Sequence, residues 1–277
     1  MSHGWEDREV LQEVWAGRVP TVFSLADSED HEPCYIMLPR MSYLPLATEK
    51  VSKHFSSSSQ PGDGDMWFSY GGTPLRWHLP IGLLYDLATV CPSQPASLPW
   101  QISVHRSDFP SDQLLPGGRD QMESVFMSSL KEADQLKHSG KVISQMQKKD
   151  HNQLWSGLSS DKFDQFWAIN RKLMEGESDT FKHIPAKFYL TGLDQDSPLS
   201  PTIVQKLVNP GHTMEQMLVE LGWEGARFEE KLEIEILILL FRCLVQGIEP
   251  DRTTPLLWLS RHLAHPDNFL HIVIDRS

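Results

Sequence analysis

Side chains that could bind a metal lie close together near the end of the sequence. His262 and His265 are three residues apart, and Asp267 follows them. Imidazole and carboxylate groups are common metal ligands, so the three could contribute to a metal site. Histidines with this spacing on a short helix are more often surface or packing residues, and that is our interpretation. A metal site is kept as the alternative.

The three cysteines, Cys34, Cys91 and Cys243, contain no CxxC pair. A sparse, odd number is typical of reduced thiols in a cytosolic protein. Cys34 and Cys91 have no neighbouring signature of an activated nucleophile, so we predict small packed thiols. The sequence also lacks a phosphate-binding loop and the GxGxxG, HExxH and GxSxG motifs. We therefore expect neither a cofactor nor a conventional active site, although a triad scattered along the sequence would leave no such motif.

Lysine amines are a second kind of reactive group, and they concentrate in the middle of the chain. Residues 131–172 contain eight Lys or Arg and five Asp or Glu, so this segment is locally +3 in a chain of net charge −12. Spacing alone does not distinguish Lys131 from Lys137 or Lys141. We interpret the basic residues as a solvated helix face, with peripheral membrane contact as the alternative.

Two of the nine tryptophans, Trp155 and Trp167, lie among these basic residues. The simpler interpretation makes them core anchors. The alternative places them in a partner interface, where tryptophan is enriched.

Length and composition restrict the class of protein. A chain of 277 residues with 40% apolar residues can form about two domains with real cores. The acidic balance argues against nucleic-acid binding, which needs a cationic surface. The apolar run 232–245 is interrupted by charges, and the first seven residues lack an apolar stretch. We therefore predict a soluble, cytosolic protein with no membrane span and no secretory signal.

The first part of the chain has the pattern of a small α+β unit. Residues 1–17 predict a short helix. The order over 18–107 is β-β-α-β-α-β, as in ubiquitin-like domains, with Ser42 as a helix N-cap. The strands are predicted at 21–25, 34–38, 66–70 and 100–105, and the helices at 42–55 and 80–89.

The rest of the chain changes to helix and then returns to strands. Residues 108–182 show helical spacing, with an apolar stripe over 122–133 and a second helix start at Ser160. Within 183–277, strands are predicted at 184–190, 202–208, around 245–248 and at 270–274, and helices from 213 and at 255–263.

A short motif occurs in both β-rich parts. Residues 73–77 read TPLRW and residues 254–258 read TPLLW, each before a predicted helix. We interpret Thr as the cap, Pro as the first helical residue and Trp as packing onto the sheet. The recurrence predicts an α+β fold of two ubiquitin-like (β-grasp) domains that flank a helix-rich region.

Long stretches of this sequence resemble the autophagy protein 5 family. Residues 14–21 (VWAGRVPT) and 71–84 (GGTPLRWHLPIGLL) match it. The strongest match runs over 127–174 and includes MSSLKEADQLKH, QMQKKDHNQLW and FDQFWAINRKLM. Residues 247–250 (GIEP) and 265–274 (HPDNFLHIVI) also match. The matches span most of the chain, and runs this long are highly specific.

The resemblance implies a non-enzymatic autophagy scaffold without cofactors. Members of the family receive the ubiquitin-like autophagy protein 12 through an isopeptide bond to one lysine, and the conjugate binds autophagy protein 16. The assembly acts like a ligase that promotes transfer of autophagy protein 8 from autophagy protein 3 to phosphatidylethanolamine. The resemblance thus implies a cytoplasmic protein that is recruited to the forming autophagosome membrane.

The family's acceptor lysine lies in the stretch MSxxKEAD, which corresponds to Lys131 here. An acceptor supplies only an exposed amine. A free lysine has a pKa of about 10.4, so the conjugating enzyme must remove a proton and align the attack. The modifier would then lie across the first ubiquitin-like domain and the helical region.

Residues 223–244 depart from the family, which has a polar loop before the strand leading into GIEP. Residues 231–241 here read KLEIEILILLF. Three interpretations of this segment stay open. It is an extra buried strand, an apolar segment that faces a partner, or an error in the gene model. Two further function classes stay open, a ubiquitin-like adaptor that is never conjugated and an unrecognised enzyme.

Overall fold

A mixed sheet follows the N-terminal helix α1 (His3–Ala16). The computed structural model describes residues 3–27, 31–56, 66–90, 95–175, 181–191, 199, 201–225 and 241–275. The sheet has the strand order β2-β1-β5-β3-β4, and β1 and β5 run parallel at its centre while the other pairs are antiparallel. Its strands are β1 (Arg18–Leu25), β2 (Cys34–Pro39), β3 (Trp67–Tyr70), β4 (Thr73–Pro74) and β5 (Trp100–His105).

Three helices accompany this sheet: α2 (Leu44–Ala47), α3 (Glu49–Ser56) and α4 (Ile81–Thr89). The single helix predicted over 42–55 is divided, because Thr48 ends α2 outside helical geometry. The predicted cap at Ser42 is wrong. Tyr43 precedes α2 in an extended conformation and makes no side-chain cap bond.

Residues 119–175 form the helical region, in which the predicted apolar stripe is confirmed by the burial of Met122, Phe126 and Leu130. The prediction that Ser160 starts a helix is wrong. Its N–H bonds to the carbonyl of Ser156 and closes the preceding helix. The helices are α5 (Arg119–His138), α6 (Lys141–Gln145), α7 (Lys148–Ser159) and α8 (Phe163–Glu175).

The second sheet repeats the order of the first. β6 pairs antiparallel with β7 and parallel with β9, and β9 pairs antiparallel with β8. The two β-grasp copies predicted from the sequence are therefore present. The strands are β6 (Ile184–Leu190), β7 (Thr202–Val208), β8 (Arg242–Leu244) and β9 (Leu270–Asp275), and the helices are α9 (Met214–Gly225) and α10 (Leu256–His262). The domain limits 1–17, 18–107, 108–182 and 183–277 stay predictions.

Helix α4 lies between the two sheets. It contacts β1 and β2 of its own sheet and β9 of the other. A helix covered on both sides has no solvent face to keep polar, and α4 accordingly buries seven of its nine residues. Tyr189 and Val273 of the second sheet join the core of the first unit, so the two β-grasp units share one apolar interface.

The local interpretation of the recurring motif is wrong in both copies. Thr73 and Pro74 form strand β4 rather than a helix start, because Gly71 and Gly72 turn the chain back with positive φ values of 55° and 79°. In the second copy, Pro255 is the N-cap of α10 rather than its first residue, so Thr254 is not the cap. Trp258 is 41% exposed, and its ring stacks on that of His262 in the same helix at 4.4 Å. Only the order of elements recurs.

Most of the atypical segment 223–244 lies outside the described residues, except that β8 forms its end and α9 runs into its start. Cys91 also lies outside them. In the described part of the chain, no helix is long and apolar enough to cross a membrane.

Candidate functional site

Lys131 lies on the outer face of α5, where it is exposed. Its neighbours Leu130 and Ala133 are buried, while Glu132 and Gln135 are exposed, as the helical period requires. No residue in the described ranges forms a hydrogen bond or ion pair with the Lys131 amine. An amine placed in this way is accessible to a group carried by another protein.

The end of α5 beyond Lys131 is fixed by local bonds. Ser139 adopts a left-handed conformation with φ 58° and ends the helix. The Asp134 carboxylate accepts a hydrogen bond of 2.9 Å from the N–H of Ile143 and thereby ties α6 to α5. The amine of Lys131 therefore projects from a rigid element rather than a loop.

Lys137, on the same helix, has the opposite environment. It is 2% exposed, and its Nζ donates to Asn268 Oδ1 at 3.0 Å and lies 3.1 Å from Met174 Sδ. The Phe181 ring covers it at 4.8 Å. Burial lowers the pKa of Lys137 to about 7, against the opposing charge of Asp134.

Accessibility separates the three lysines that spacing left equivalent. Lys137 is enclosed, whereas Lys131 and Lys141 are exposed. Burial thus argues against Lys137 as an acceptor, and the choice of Lys131 over Lys141 still depends on the family resemblance.

Lys137→Met should remove a pH dependence of stability. Because the folded pKa of about 7 lies below the unfolded value of 10.5, the unfolded chain binds the extra proton between these values, and stability rises with pH there. We expect the wild type to gain about 2 kcal/mol more than the variant between pH 7 and pH 9. Urea unfolding at the two pH values measures the difference, with Lys141→Met as the exposed control. An equal gain in all three chains would contradict the prediction.

The Lys137 amine belongs to a polar network that joins the helical region to the second β-grasp unit. Asn268, which precedes β9, donates from Nδ2 to Asn170 Oδ1 on α8 at 2.7 Å. α5, α8 and the loop before β9 therefore meet at one buried side chain. The sequence contains one sign of this network, since Lys137 continues the buried face of α5 one turn after Ala133.

A buried ion pair lies where the two β-grasp units meet. Arg40 Nη2 is 2.7 Å from both carboxylate oxygens of Asp86 on α4. The N–H of Gly247, in the second unit, also bonds to this carboxylate. Burial raises the pKa of Asp86, and the Arg40 charge opposes the shift. Gly247 has φ 76°, and a Cβ there would lie 3.0 Å from Arg40 Nη2.

The histidines considered for metal binding are buried packing residues. His271 Nε2 bonds to Asp267 Oδ2 at 3.0 Å, and its Nδ1 pairs with the Tyr189 hydroxyl at 2.8 Å. Burial alone would raise the pKa of Asp267. The charge of His271 and its hydrogen bond outweigh this effect and lower the pKa to about 2. Within the described ranges, no three His, Cys, Asp or Glu are placed to hold a metal. Packing is the correct interpretation for His262 and His265, and a surface location is wrong.

His265→Leu should make the chain less sensitive to acid. His265 is 1% exposed, and neither ring nitrogen has a hydrogen-bond partner among the described residues. Burial and the charge of His271 lower the pKa of His265 well below its ordinary value. Only the unfolded chain then takes up this proton below pH 6.5. The free energy of unfolding therefore decreases as the pH is lowered. Between pH 7 and pH 5 we therefore expect the wild type to lose more stability than the variant.

Chemical denaturation at both pH values tests this expectation. Leucine is close to histidine in volume and adds no polar atom. Equal losses in wild type and variant would show that His265 takes up its proton in the folded state.

Trp155 and Trp167 are both half-buried at the edge of the helical core. The Trp155 ring lies 5.9 Å from Phe126, and Trp167 lies 6.0 Å from Phe163. These contacts agree with core anchoring and leave part of each ring exposed. Their role in a partner interface stays a prediction.

Two ion pairs engage part of the basic segment. Lys172 lies 3.5 Å from the largely buried carboxylate of Asp150, and Arg171 lies 3.8 Å from Glu175 at the surface. Membrane contact stays a prediction.

Cys34 is half-buried and Cys243 is buried. Burial raises the pKa of both thiols, that of Cys243 to about 11. These two thiols are therefore not activated nucleophiles.

Family models match three successive parts of the chain. Residues 14–106 match the UblA domain of autophagy protein ATG5, residues 119–176 its alpha-helical bundle region, and residues 183–274 its UblB domain.

Whole-chain relatives agree with these matches. Autophagy protein 5 of Drosophila melanogaster is 45% identical over 282 residues, which cover 97% of each chain. Autophagy-related protein 5 of Caenorhabditis elegans is 33% identical over 287 residues, covering 97% of this chain and 98% of the relative. The crystal structure of Kluyveromyces marxianus Atg5 has the same fold, with a TM-score of 0.76 at 19% identity, over 96% of this chain and 99% of that one. The chain therefore belongs to the autophagy protein 5 family, with two ubiquitin-like domains around a helical region and a role in autophagy.

Proposed function

We propose that this chain is a non-catalytic acceptor that receives the ubiquitin-like autophagy protein 12 through an isopeptide bond at Lys131. One structural observation supports Lys131 over Lys137, and the family resemblance supports it over Lys141. Lys131 presents an exposed amine without a described partner on a rigid helix, whereas Lys137 on the same helix is enclosed.

The reaction needs little from the acceptor beyond this amine. The neutral Nζ attacks the thioester carbonyl of the modifier, which a separate conjugating enzyme carries. The C–N bond forms, the C–S bond breaks, and the thiolate leaves on the enzyme while the amine loses a proton. Because the enzyme orients both reactants, the acceptor contributes access and a fixed position.

The conjugate then works through its surfaces. An apolar helix of autophagy protein 16 docks in a groove between the domains, a common mode of recognition. The assembly promotes transfer of autophagy protein 8 from autophagy protein 3 to phosphatidylethanolamine at the forming autophagosome membrane. Trp155 and Trp167 are the candidate interface residues.

Reconstituted conjugation followed by mass mapping of the branched peptide tests the proposal. We expect one branch, at Lys131, and co-purification of autophagy protein 16 with the conjugate. A branch at Lys141 would show that Lys141, and not Lys131, is the acceptor. Capture of the partners without any branched lysine would instead favour a non-covalent adaptor.

A further inference from the structure

A cavity of about 350 Å³ lies between the first β-grasp unit and the start of α5. Helices α2 and α3 form one wall, and strand β3 and the linker 107–118 form the others. The aromatic side chains of Trp67, Trp77 and Phe109 line it. Its volume falls in the lower part of the range for ligand sites, roughly 300–1,000 Å³.

The aromatic walls of this cavity are fixed by hydrogen bonds. Trp67 Nε1 donates to the carbonyl of Ser107 at 2.9 Å, and Trp77 Nε1 donates to that of Leu115 at 2.8 Å. A Cβ on Gly117 would lie 1.9 Å from the Trp77 ring, so only glycine lets the linker close against this wall. A site formed in advance loses little affinity to reorganisation.

The mouth of the cavity carries the exposed guanidinium of Arg119, whose charge helps Lys53 to lower the pKa of Glu49. Glu49 lines it but pairs with Lys53 at 2.6 Å. Arg119, the first residue of α5, is exposed and has no hydrogen-bond or ion-pair partner within the described ranges. An apolar cavity beside an exposed guanidinium that forms no described hydrogen bond is complementary to an apolar group followed by a carboxylate.

We infer that this cavity binds the aromatic anchor residue of an acidic linear peptide from a partner protein, with a carboxylate of the peptide on Arg119. A peptide fits better than a free metabolite, because Leu115, whose carbonyl accepts the indole N–H of the lining residue Trp77, is 77% exposed and adds apolar surface near the cavity. Arg119 and Lys131 are twelve residues apart on one helix, a separation of about 18 Å.

Nuclear magnetic resonance of the full chain tests this site, because the indole N–H groups of Trp67 and Trp77 report on it directly. The probe is the capped peptide Ac-Asp-Glu-Phe-Leu-NH₂. We expect saturable shifts of these two indole signals and none of Trp155. Arg119→Gln should weaken binding by about tenfold, since it removes a charge-assisted hydrogen bond. Arg171→Gln, an exposed arginine on α8, is the matched control and should bind like the wild type.

Two further ligands test whether the site requires the acidic side chains and whether it requires a peptide. Replacement of the peptide's acids by Asn and Gln should reproduce the loss seen with Arg119→Gln, and phenylacetate should bind more weakly than the peptide. Equal binding of the amide peptide, or wild-type affinity in Arg119→Gln, would overturn the role of the charge. Phenylacetate binding as tightly as the peptide would assign the cavity to small carboxylates. Unchanged indole signals with every ligand would overturn the site itself.

Discussion

Lys131→Arg should abolish the covalent adduct with autophagy protein 12 in a reconstituted reaction. Arginine keeps the positive charge and the exposed position on α5, but its guanidinium stays protonated and is a poor nucleophile toward a thioester. Lys131 is exposed and forms no hydrogen bond or ion pair with a described residue, so the replacement should leave the fold intact. A gel shift of the conjugate measures the result.

Lys141→Arg is the matched control, because Lys141 is also exposed and begins the next helix. It should form the adduct at the wild-type level. Persistence of the adduct in Lys131→Arg, or its loss in Lys141→Arg, would show that the acceptor has been misassigned.

Asp86→Ala should lower the free energy of unfolding by about 3 kcal/mol, because removal of one partner leaves a buried charge uncompensated. The Arg40 side chain is only 13% exposed and its guanidinium bonds to both oxygens of Asp86. The same carboxylate accepts the N–H of Gly247, so the loss extends to the contact between the two β-grasp units. Urea unfolding at neutral pH measures it.

Two variants separate the buried charge from a general packing defect. The double variant Arg40→Met with Asp86→Leu should recover much of the lost stability, since apolar residues of similar volume often replace a buried ion pair without cost. Glu49→Ala removes an exposed partner of Lys53 and should leave the unfolding midpoint unchanged. No recovery in the double variant would show that Asp86 acts through its shape rather than its charge.

The sequence was sufficient for the β-grasp repeats because local patterns determine their strands. β5 alternates between buried and more exposed residues as predicted, and Gly17 follows the last residue of α1. Prediction from local patterns failed where the same short sequence is compatible with two different local conformations. Thr-Pro directly precedes α10 in one copy but forms strand β4 in the other, because two glycines before it make a turn.

The candidate acceptor lysine was harder to predict. Leu130, Ala133 and Lys137 follow the spacing of one helix face, so the burial of Lys137 was foreseeable. The same spacing leaves Lys131 outside but does not separate it from Lys141. The hydrogen-bond partners of the buried side chains could not be predicted from local patterns, because they are distant in sequence. Asn268 is 131 residues from Lys137, and Gly247 and Asp86 belong to different β-grasp units.

Helix α4 gives the molecule a property that neither repeat has alone. In most arrays of repeated domains each unit is a transferable module. Here one helix supplies hydrophobic surface to both sheets. Excision of the second repeat would therefore strip α4 on one side, and excision of the first would remove α4 and uncover the face of the second sheet that it covers. Either fragment should aggregate rather than stand as an independent ubiquitin-like fold.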